Sequence, residues 1–231
     1  MAHSGFRRDP DAPNSEAVED YAKALHTLAA RAAGPVTTSA LAERLGVSPG
    51  SVTAMLKRMD ELGLAEHEPY RGARLTGKGE RVALEVIRHH RLLESYLAEV
   101  LGMPWDRVHD EAEVLEHYIS EELEELIASA LGDPSRDPHG DPIPDRDLAL
   151  ASEGGVPLAE LAEGGVGTFE RVSDSDPEML RFLDGRGIRP GARVNVAQRE
   201  PFGGSVAIEI DGQPHKIGPE LARRMLISAS R

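Results

Sequence analysis

Residues 45–59, LGVSPGSVTAMLKRM, decide the fold. Ser48 stands where an N-cap hydroxyl can accept from the first unpaired backbone amides. Pro49 follows at the first helical position, where a missing N–H costs nothing. Val52, Met55, Leu56 and Met59 recur at helical spacing, which predicts a helix from about residue 49 to residue 62, ended by Gly63. Just ahead, residues 40–45 read as a short helix introduced by Thr37-Thr38-Ser39 and closed by Gly46. Short helix, glycine turn and capped helix make the helix-turn-helix plan. Upstream, residues 15–33 predict another helix, with Ser15 as its cap and Val18, Tyr21, Leu25 and Leu28 on one face, stopped by Gly34-Pro35. Downstream, LAEHEPYRGARLT (residues 64–76) reads as two short strands around Tyr70-Arg71-Gly72, a β-wing. Thr76 then caps a long helix to about residue 93, with an interruption near Gly102-Met103-Pro104.

The next informative stretch is HDEAEVLEH, residues 109–117. His109, Glu113, Glu116 and His117 are spaced i, i+4, i+7, i+8, so on a helix they fall within an arc of roughly 100°. Val114, Leu115, Tyr118 and Ile119 form an apolar stripe opposite, fit for a core. Residues 106–131 are expected to carry this helix and its continuation, with Leu123, Leu126, Ile127 and Leu131 apolar. His90 and Glu94 add an i, i+4 pair on the preceding helix. Any one of these pairs is more often a solvated surface feature or a satisfied histidine. Four of the nine histidines, however, sit at 89, 90, 109 and 117, interleaved with carboxylates. A ligand set of imidazole and carboxylate without sulfur prefers Mn²⁺ or Mg²⁺, while imidazole also admits Fe²⁺, Co²⁺ and Zn²⁺. A metal-responsive DNA-binding protein is what the two stretches together suggest.

Composition narrows the class. The chain has 231 residues and no cysteine, which excludes disulfides, thiolate metal sites and a cysteine nucleophile, and fits a reducing compartment. Residues 1–14 are polar and lack an apolar core segment, so they read as a flexible N-terminus and not as a signal peptide. No run approaches the ~18–20 apolar residues of a membrane span. A cytoplasmic protein is expected. The net charge of −14 argues against a general nucleic-acid binder, but it is uneven. Residues 1–82 balance eleven Lys/Arg with eleven Asp/Glu, whereas residues 83–131 set three against twelve. A neutral reading head beside an acidic middle fits a core whose self-repulsion cations relieve, although acidic helices are also simply soluble.

Residues 132–155, GDPSRDPHGDPIPDRDLALASEGG, are rich in Pro, Gly and Asp and read as a linker or an ordered crossing loop. Beyond them short strands are predicted at 166–172, 193–198, 205–210 and 215–217, with Asp211-Gly212 as a hairpin turn and a helical turn at 179–183 closed by Gly185. These make a small barrel of about 75 residues. The fold expected is mainly α with a small β domain. In the helix-turn-helix, Thr38, Ser48, Ser51 and Thr53 offer hydroxyls to base edges or phosphates, and Lys57 and Arg58 suit phosphates. Arg71, with Arg74, could meet a neighbouring backbone from the wing.

These residues carry a resemblance. EDYAKALHTL (19–28), LGVSPGSVTAMLKRM (45–59), YRGARLTGKG (70–79), HRLLESYL (90–97), HDEAEVLEH (109–117) and DPHGDPIP (137–144) resemble the diphtheria toxin repressor family of metal-dependent transcriptional regulators, nearest its manganese-responsive branch. The resemblance spans nearly the whole chain. It implies a winged helix-turn-helix DNA-binding domain at 15–82, a helical dimerisation and metal-binding domain at 83–131, a linker at 132–155 and an SH3-like (FeoA-like) domain at 156–231. It implies that Asp20, Glu113, Glu116 and His117 form a primary metal site and that His90, Glu94 and His109 are ancillary ligands. Glu170 or Asp174 would be a further ligand from the barrel. Iron-responsive members carry a cysteine at the position of Glu113 and a methionine at that of Asp20, so the oxygens here favour Mn²⁺, with Fe²⁺, Co²⁺ or Zn²⁺ as substitutes. The short manganese regulators carry an acid three residues after Asp20 where this chain has Lys23, which implies separate sites and not a closely spaced two-manganese cluster. The implied function is repression of metal-homeostasis genes by a homodimer bound to double-stranded operator DNA. An Fe²⁺-responsive regulator of the same family is the alternative.

Three rival readings are available. A di-metal bundle enzyme would use Glu-x-x-His pairs, and the chain has none; it also lacks a nucleophile elbow, a P-loop and an HExxH motif, so no enzyme is expected. A regulator with an organic effector would keep its DNA affinity under chelation. A winged-helix adaptor would have no salt-sensitive affinity for duplex DNA.

Overall fold

The computed structural model describes residues 15–30, 34–68, 71–152, 154–173, 176–210 and 212–229. The chain divides into two compact units, residues 1–89 with 146–148 and residues 90–145 with 149–231.

In the first unit, α1 (Glu16–Ala29), α2 (Thr38–Leu45) and α3 (Pro49–Glu61) precede a two-stranded antiparallel wing, β1 (Ala65–Glu68) and β2 (Gly72–Leu75). The caps expected for α2 and α3 form: Thr37 Oγ1 accepts from the Ala40 amide at 3.2 Å and Ser48 Oγ from that of Ser51 at 3.1 Å. Ser15 holds the N-cap position of α1 but its hydroxyl makes no cap bond, so its backbone alone serves that end. Gly46 closes α2 with φ of 65°. The α3 residues Val52, Leu56 and Met59 are fully buried against Val18, Leu25, Leu41 and Leu64, each such side chain contributing about 1.5–3 kcal/mol by leaving water. The wing is held to the segment before α2 by paired 2.9 Å hydrogen bonds between Val36 and Ala73. Gly72 is required there: its φ is +104° and a Cβ would come within 2.4 Å of the Val36 carbonyl oxygen.

Thr76 caps α4 (Gly77–Glu99) through the Gly79 amide, and the two units divide within that helix. The second unit holds the rest of α4, then α5 (Val108–Leu115) and α6 (Glu121–Ala130). The ligand-bearing helix and its continuation expected across 106–131 are two separate helices. α5 stops at Leu115 with Glu116 as C-cap, residues 116–118 turn, and Ser120 caps a new helix by accepting from the Leu123 amide at 3.3 Å. The expected core stripe is split as well. Ile119 is buried, but Val114 and Tyr118 are 61% and 58% exposed, and so are Leu123 and Leu126 to a large degree.

The C-terminal part is a six-stranded antiparallel sheet in the order β3-β8-β4-β5-β6-β7. Its strands are β3 (Val156–Pro157), β4 (Val166–Val172), β5 (Arg193–Arg199), β6 (Val206–Ile210), β7 (Gln213–Ile217) and β8 (Met225–Ala229). α7 (Pro177–Asp184) and α8 (Pro219–Arg224) pack with it. The four predicted strands and the turn of helix before Gly185 are present; β3, α8 and β8 were not foreseen. Asp211 of the predicted hairpin turn lies outside the described residues. The barrel core of Leu158, Phe169, Leu180, Leu183, Ile188, Val196, Ile208 and Ile227 also takes in Trp105, from before α5.

Candidate metal centre

α4 and α5 each present an i, i+4 pair of imidazole and carboxylate, which on a helix face the same way. Their packing in the second unit brings the pairs together. His90 Nε2 lies 3.0 Å from Glu94 Oε1 and 3.1 Å from His109 Nδ1, and His109 Nδ1 lies 3.2 Å from the same Glu94 oxygen. Glu113 Oε1 is 3.7 Å from His90 Nδ1 and 3.8 Å from His109 Nε2. Glu113 thus stands with His90 and His109, one of the histidine and carboxylate groups compact enough to hold an ion. Glu116, at the end of α5, sets Oε2 2.5 Å from His90 Nδ1, while His117 Nε2 is 3.6 Å from Glu116 Oε1.

These donors fit a divalent ion. Donors about 3 Å apart suit an ion about 2.1 Å from each, and all are oxygen or imidazole nitrogen. Glu94 is 1% exposed. Burial pushes its pKa up, but His90, His109 and His139 around it hold it well below the usual carboxylate range. An anion is thereby kept in a site that needs positive charge beside it.

A second group adjoins the first. Asp137 and His139, from the Pro- and Asp-rich stretch after α6, group with Glu94, and His139 Nδ1 lies 3.6 Å from Glu94 Oε2. Burial, with Glu94 and Asp141 acting in the same direction, raises the Asp137 pKa well above its ordinary value, only partly offset by His139 and Arg91. Burial works against a charged His139, yet Glu94, Asp137 and the Trp105 carbonyl push its pKa up to about 9. Asp137 and His139 are not among the candidates that the sequence offers. The available signal was a histidine between two aspartates in DPHGD, inside a stretch that composition alone marks as a linker.

The other candidates are placed as follows. Asp20 lies on α1 in the first unit, half-buried. Glu170 on β4 is engaged elsewhere, with Oε2 3.2 Å from Arg136 and Oε1 accepting from Ser228 Oγ at 2.6 Å. Asp174 lies outside the described residues. In the first unit Ser48, Ser51, Thr53 and Lys57 line the exposed side of α3, Arg58 and Thr38 are half-buried, and Arg71 stands exposed on the wing, 3.0 Å from Glu68. Thr53 Oγ1 donates to the Pro49 carbonyl at 3.0 Å.

A capped reading helix with a wing, followed by a sulfur-free metal centre on helices and a small barrel, defines a class of metal-responsive DNA-binding proteins. Comparison with known proteins agrees along the chain. The model of the iron-dependent repressor N-terminal DNA-binding domain matches residues 15–73, that of the iron-dependent repressor metal-binding and dimerisation domain residues 76–145, and that of the FeoA domain residues 156–229. The iron-dependent repressor IdeR of Mycobacterium tuberculosis is 33% identical over 219 residues, 87% of this chain and 94% of the relative. The diphtheria toxin repressor of Corynebacterium diphtheriae is 29% identical over 92% of this chain and 96% of its own. A solved manganese-dependent transcriptional repressor in complex with manganese superposes with a TM-score of 0.82 at 39% identity, covering 92% of this chain and 99% of that one. The chain therefore belongs to the iron-dependent repressor (diphtheria toxin repressor) family of metal-dependent transcriptional repressors.

Proposed function

We propose that this protein is a Mn²⁺-activated repressor that binds operator DNA as a homodimer and controls metal-homeostasis genes in the cytoplasm. The observation that carries the reading is the donor set: His90, Glu94 and His109 meet with Glu113 and without sulfur. The oxygen of Glu113 favours a harder ion than a thiolate would. Glu116 and His117 are two donors of a second site at the end of α5, and Asp20 of α1 is the oxygen ligand proposed to join them when metal binds. Bound Mn²⁺ supplies there the positive charge that lets these carboxylates stand together. With Asp20 so engaged, α1 is tethered and the reading helix α3 keeps a set direction. Two copies then present their α3 hydroxyls, Ser48, Ser51 and Thr53, to major-groove half-sites about 34–36 Å apart, while Lys57, Arg58 and Arg71 meet phosphates. Thr38, at the start of α2, lies beside the same backbone. The copies pair through the second unit, whose exposed Leu101, Val114, Tyr118 and Leu126 are apolar.

The experiment is selection of duplexes from a random-sequence pool with and without Mn²⁺, followed by affinity titration of wild type and Asp20→Ala. Mn²⁺ should tighten wild-type binding at least tenfold and leave Asp20→Ala little changed. Equal metal dependence in the two would overturn the tether. The iron-dependent relatives favour a second reading, in which Fe²⁺ activates the same sites; parallel titrations with Fe²⁺ under anaerobic conditions separate the two.

A further inference from the structure

We propose that the reading helix selects its operator through thymine methyl groups, with Ala54 setting the preference and Gly50 letting the bases come close. The inference rests on the DNA-binding reading above and names what is read. Gly50, Thr53, Ala54 and Lys57 are spaced i, i+3, i+4, i+7 on α3, so they form one stripe, and all four are exposed. Val52, Leu56 and Met59 of the same helix are buried. The stripe is therefore the surface that α3 can offer to a major groove.

Its chemistry is narrow. Bidentate reading of guanine needs Arg or Lys, and that of adenine needs Asn or Gln. Residues 49–56 contain none of these. The hydroxyls are largely spent within the helix. Thr53 Oγ1 donates its hydrogen to the Pro49 carbonyl at 3.0 Å, which leaves Thr53 a methyl and an acceptor. Ser48 and Ser51 share a hydrogen bond at 2.9 Å, and Ser48 Oγ also accepts from the Ser51 amide. Lys57 lies 3.8 Å from Glu61, in an ion pair further along the helix. What the stripe keeps for base edges is the methyl of Ala54 and the methyl of Thr53. The base feature that such groups recognise is the C5-methyl of thymine, which stands in the major groove.

Gly50 supports the same reading. Its φ lies outside the left-handed region, and a Cβ there would meet only Ser48 Oγ at 3.7 Å, an ordinary contact. The fold does not need glycine at this position, and glycine weakens a helix relative to alanine. A bare backbone at an exposed site suits a partner that approaches it closely. With no side chain longer than threonine before Lys57 on the stripe, α3 can sit deep enough for Ala54 to touch a base.

The test uses the full chain and a duplex selected by the wild type. Each thymine is replaced in turn by deoxyuridine, which keeps the base pair and lacks only the methyl. At one or two positions of each half-site the affinity should fall roughly fourfold, the effect of one buried methyl. Ala54→Gly should weaken binding by a similar factor and should make one of those positions indifferent to deoxyuridine, as a double-mutant cycle requires of two groups in contact. Gly50→Ala should raise the melting temperature of the protein and yet bind the operator less tightly. Deoxyuridine tolerated at every position would overturn the inference, and that series needs only the wild type. So would an Ala54→Gly protein that folds and keeps the full deoxyuridine pattern, or a Gly50→Ala protein that binds as tightly as wild type. Duplex binding indifferent to metal would sink the Mn²⁺-activated reading and leave the deoxyuridine series to decide this one; a wild type that binds no duplex would overturn both.

Discussion

The indole Nε1 of Trp105 donates to the carbonyl of Leu180 at 3.2 Å, across 75 positions of sequence. The donor precedes α5 and the acceptor lies on α7. Around the same indole, the His139 ring stacks at 5.5 Å and the Arg189 guanidinium lies 3.8 Å from the ring centroid. The only tryptophan of the chain therefore joins the helical part of the second unit to its barrel. Trp105→Ala should lower stability by about 3–5 kcal/mol, as for other buried aromatics removed from a core. Urea denaturation followed by circular dichroism measures it; a loss below about 1 kcal/mol would show that the indole is not part of that core.

In the reading helix, Ser48 satisfies the Ser51 amide and its Oγ lies 2.9 Å from the Ser51 hydroxyl. Ser48→Ala should cost about 1 kcal/mol of stability, within the range for lost N-caps, and Ser48→Asp should restore most of it. Thermal denaturation of the three proteins separates this from a role in DNA contact, because Ser48→Asp should regain stability without regaining affinity for DNA.

Gly140, beside His139, has φ of +92°, and a Cβ there would fall 1.8 Å from the carbonyl oxygen of Glu170. Gly140→Ala cannot be absorbed by a side-chain shift, since the obstacle is backbone. The variant should lose well over 1 kcal/mol, more than the left-handed conformation alone costs an alanine. A denaturation midpoint equal to that of wild type would contradict the close approach of these two segments.

Leu126 is 62% exposed on α6, near in sequence to the also exposed Leu123. If this face pairs two copies, Leu126→Glu should shift the solution mass from about twice 25.0 kDa to 25.0 kDa in light scattering while preserving helicity. A dimer that survives the charge would place the pairing surface elsewhere.

Metal should stabilise the fold as well as direct it. Mn²⁺ at a hundred times its dissociation constant should raise stability by about 2.7 kcal/mol per independent site, and a chelator should reverse this. Calorimetry of wild type and His109→Ala measures the difference; His109→Ala should show a smaller rise in melting temperature, since it removes one donor of the α4–α5 centre.

Local chemistry determined much of this protein from the sequence alone. Ser48-Pro49 and the period of Val52, Leu56 and Met59 announce α3, Gly46 ends α2, and alternating apolar residues mark β4, β5 and β6, because caps, breakers and periodicity act within a few residues. The residue types of the candidate metal centre were legible too, since the histidines and carboxylates of α4 and α5 repeat at i, i+4. Only the tertiary structure decided how those donors are grouped. The break at Glu116 turns what a continuous helix would align, Glu113 stands with His90 and His109, and DPHGD becomes the buried wall behind Glu94. The same holds for the outward face of Val114 and Tyr118 and for Trp105 in the barrel core. Periodicity tells that a side chain is apolar and on which face it lies; what covers that face depends on contacts between segments distant in sequence.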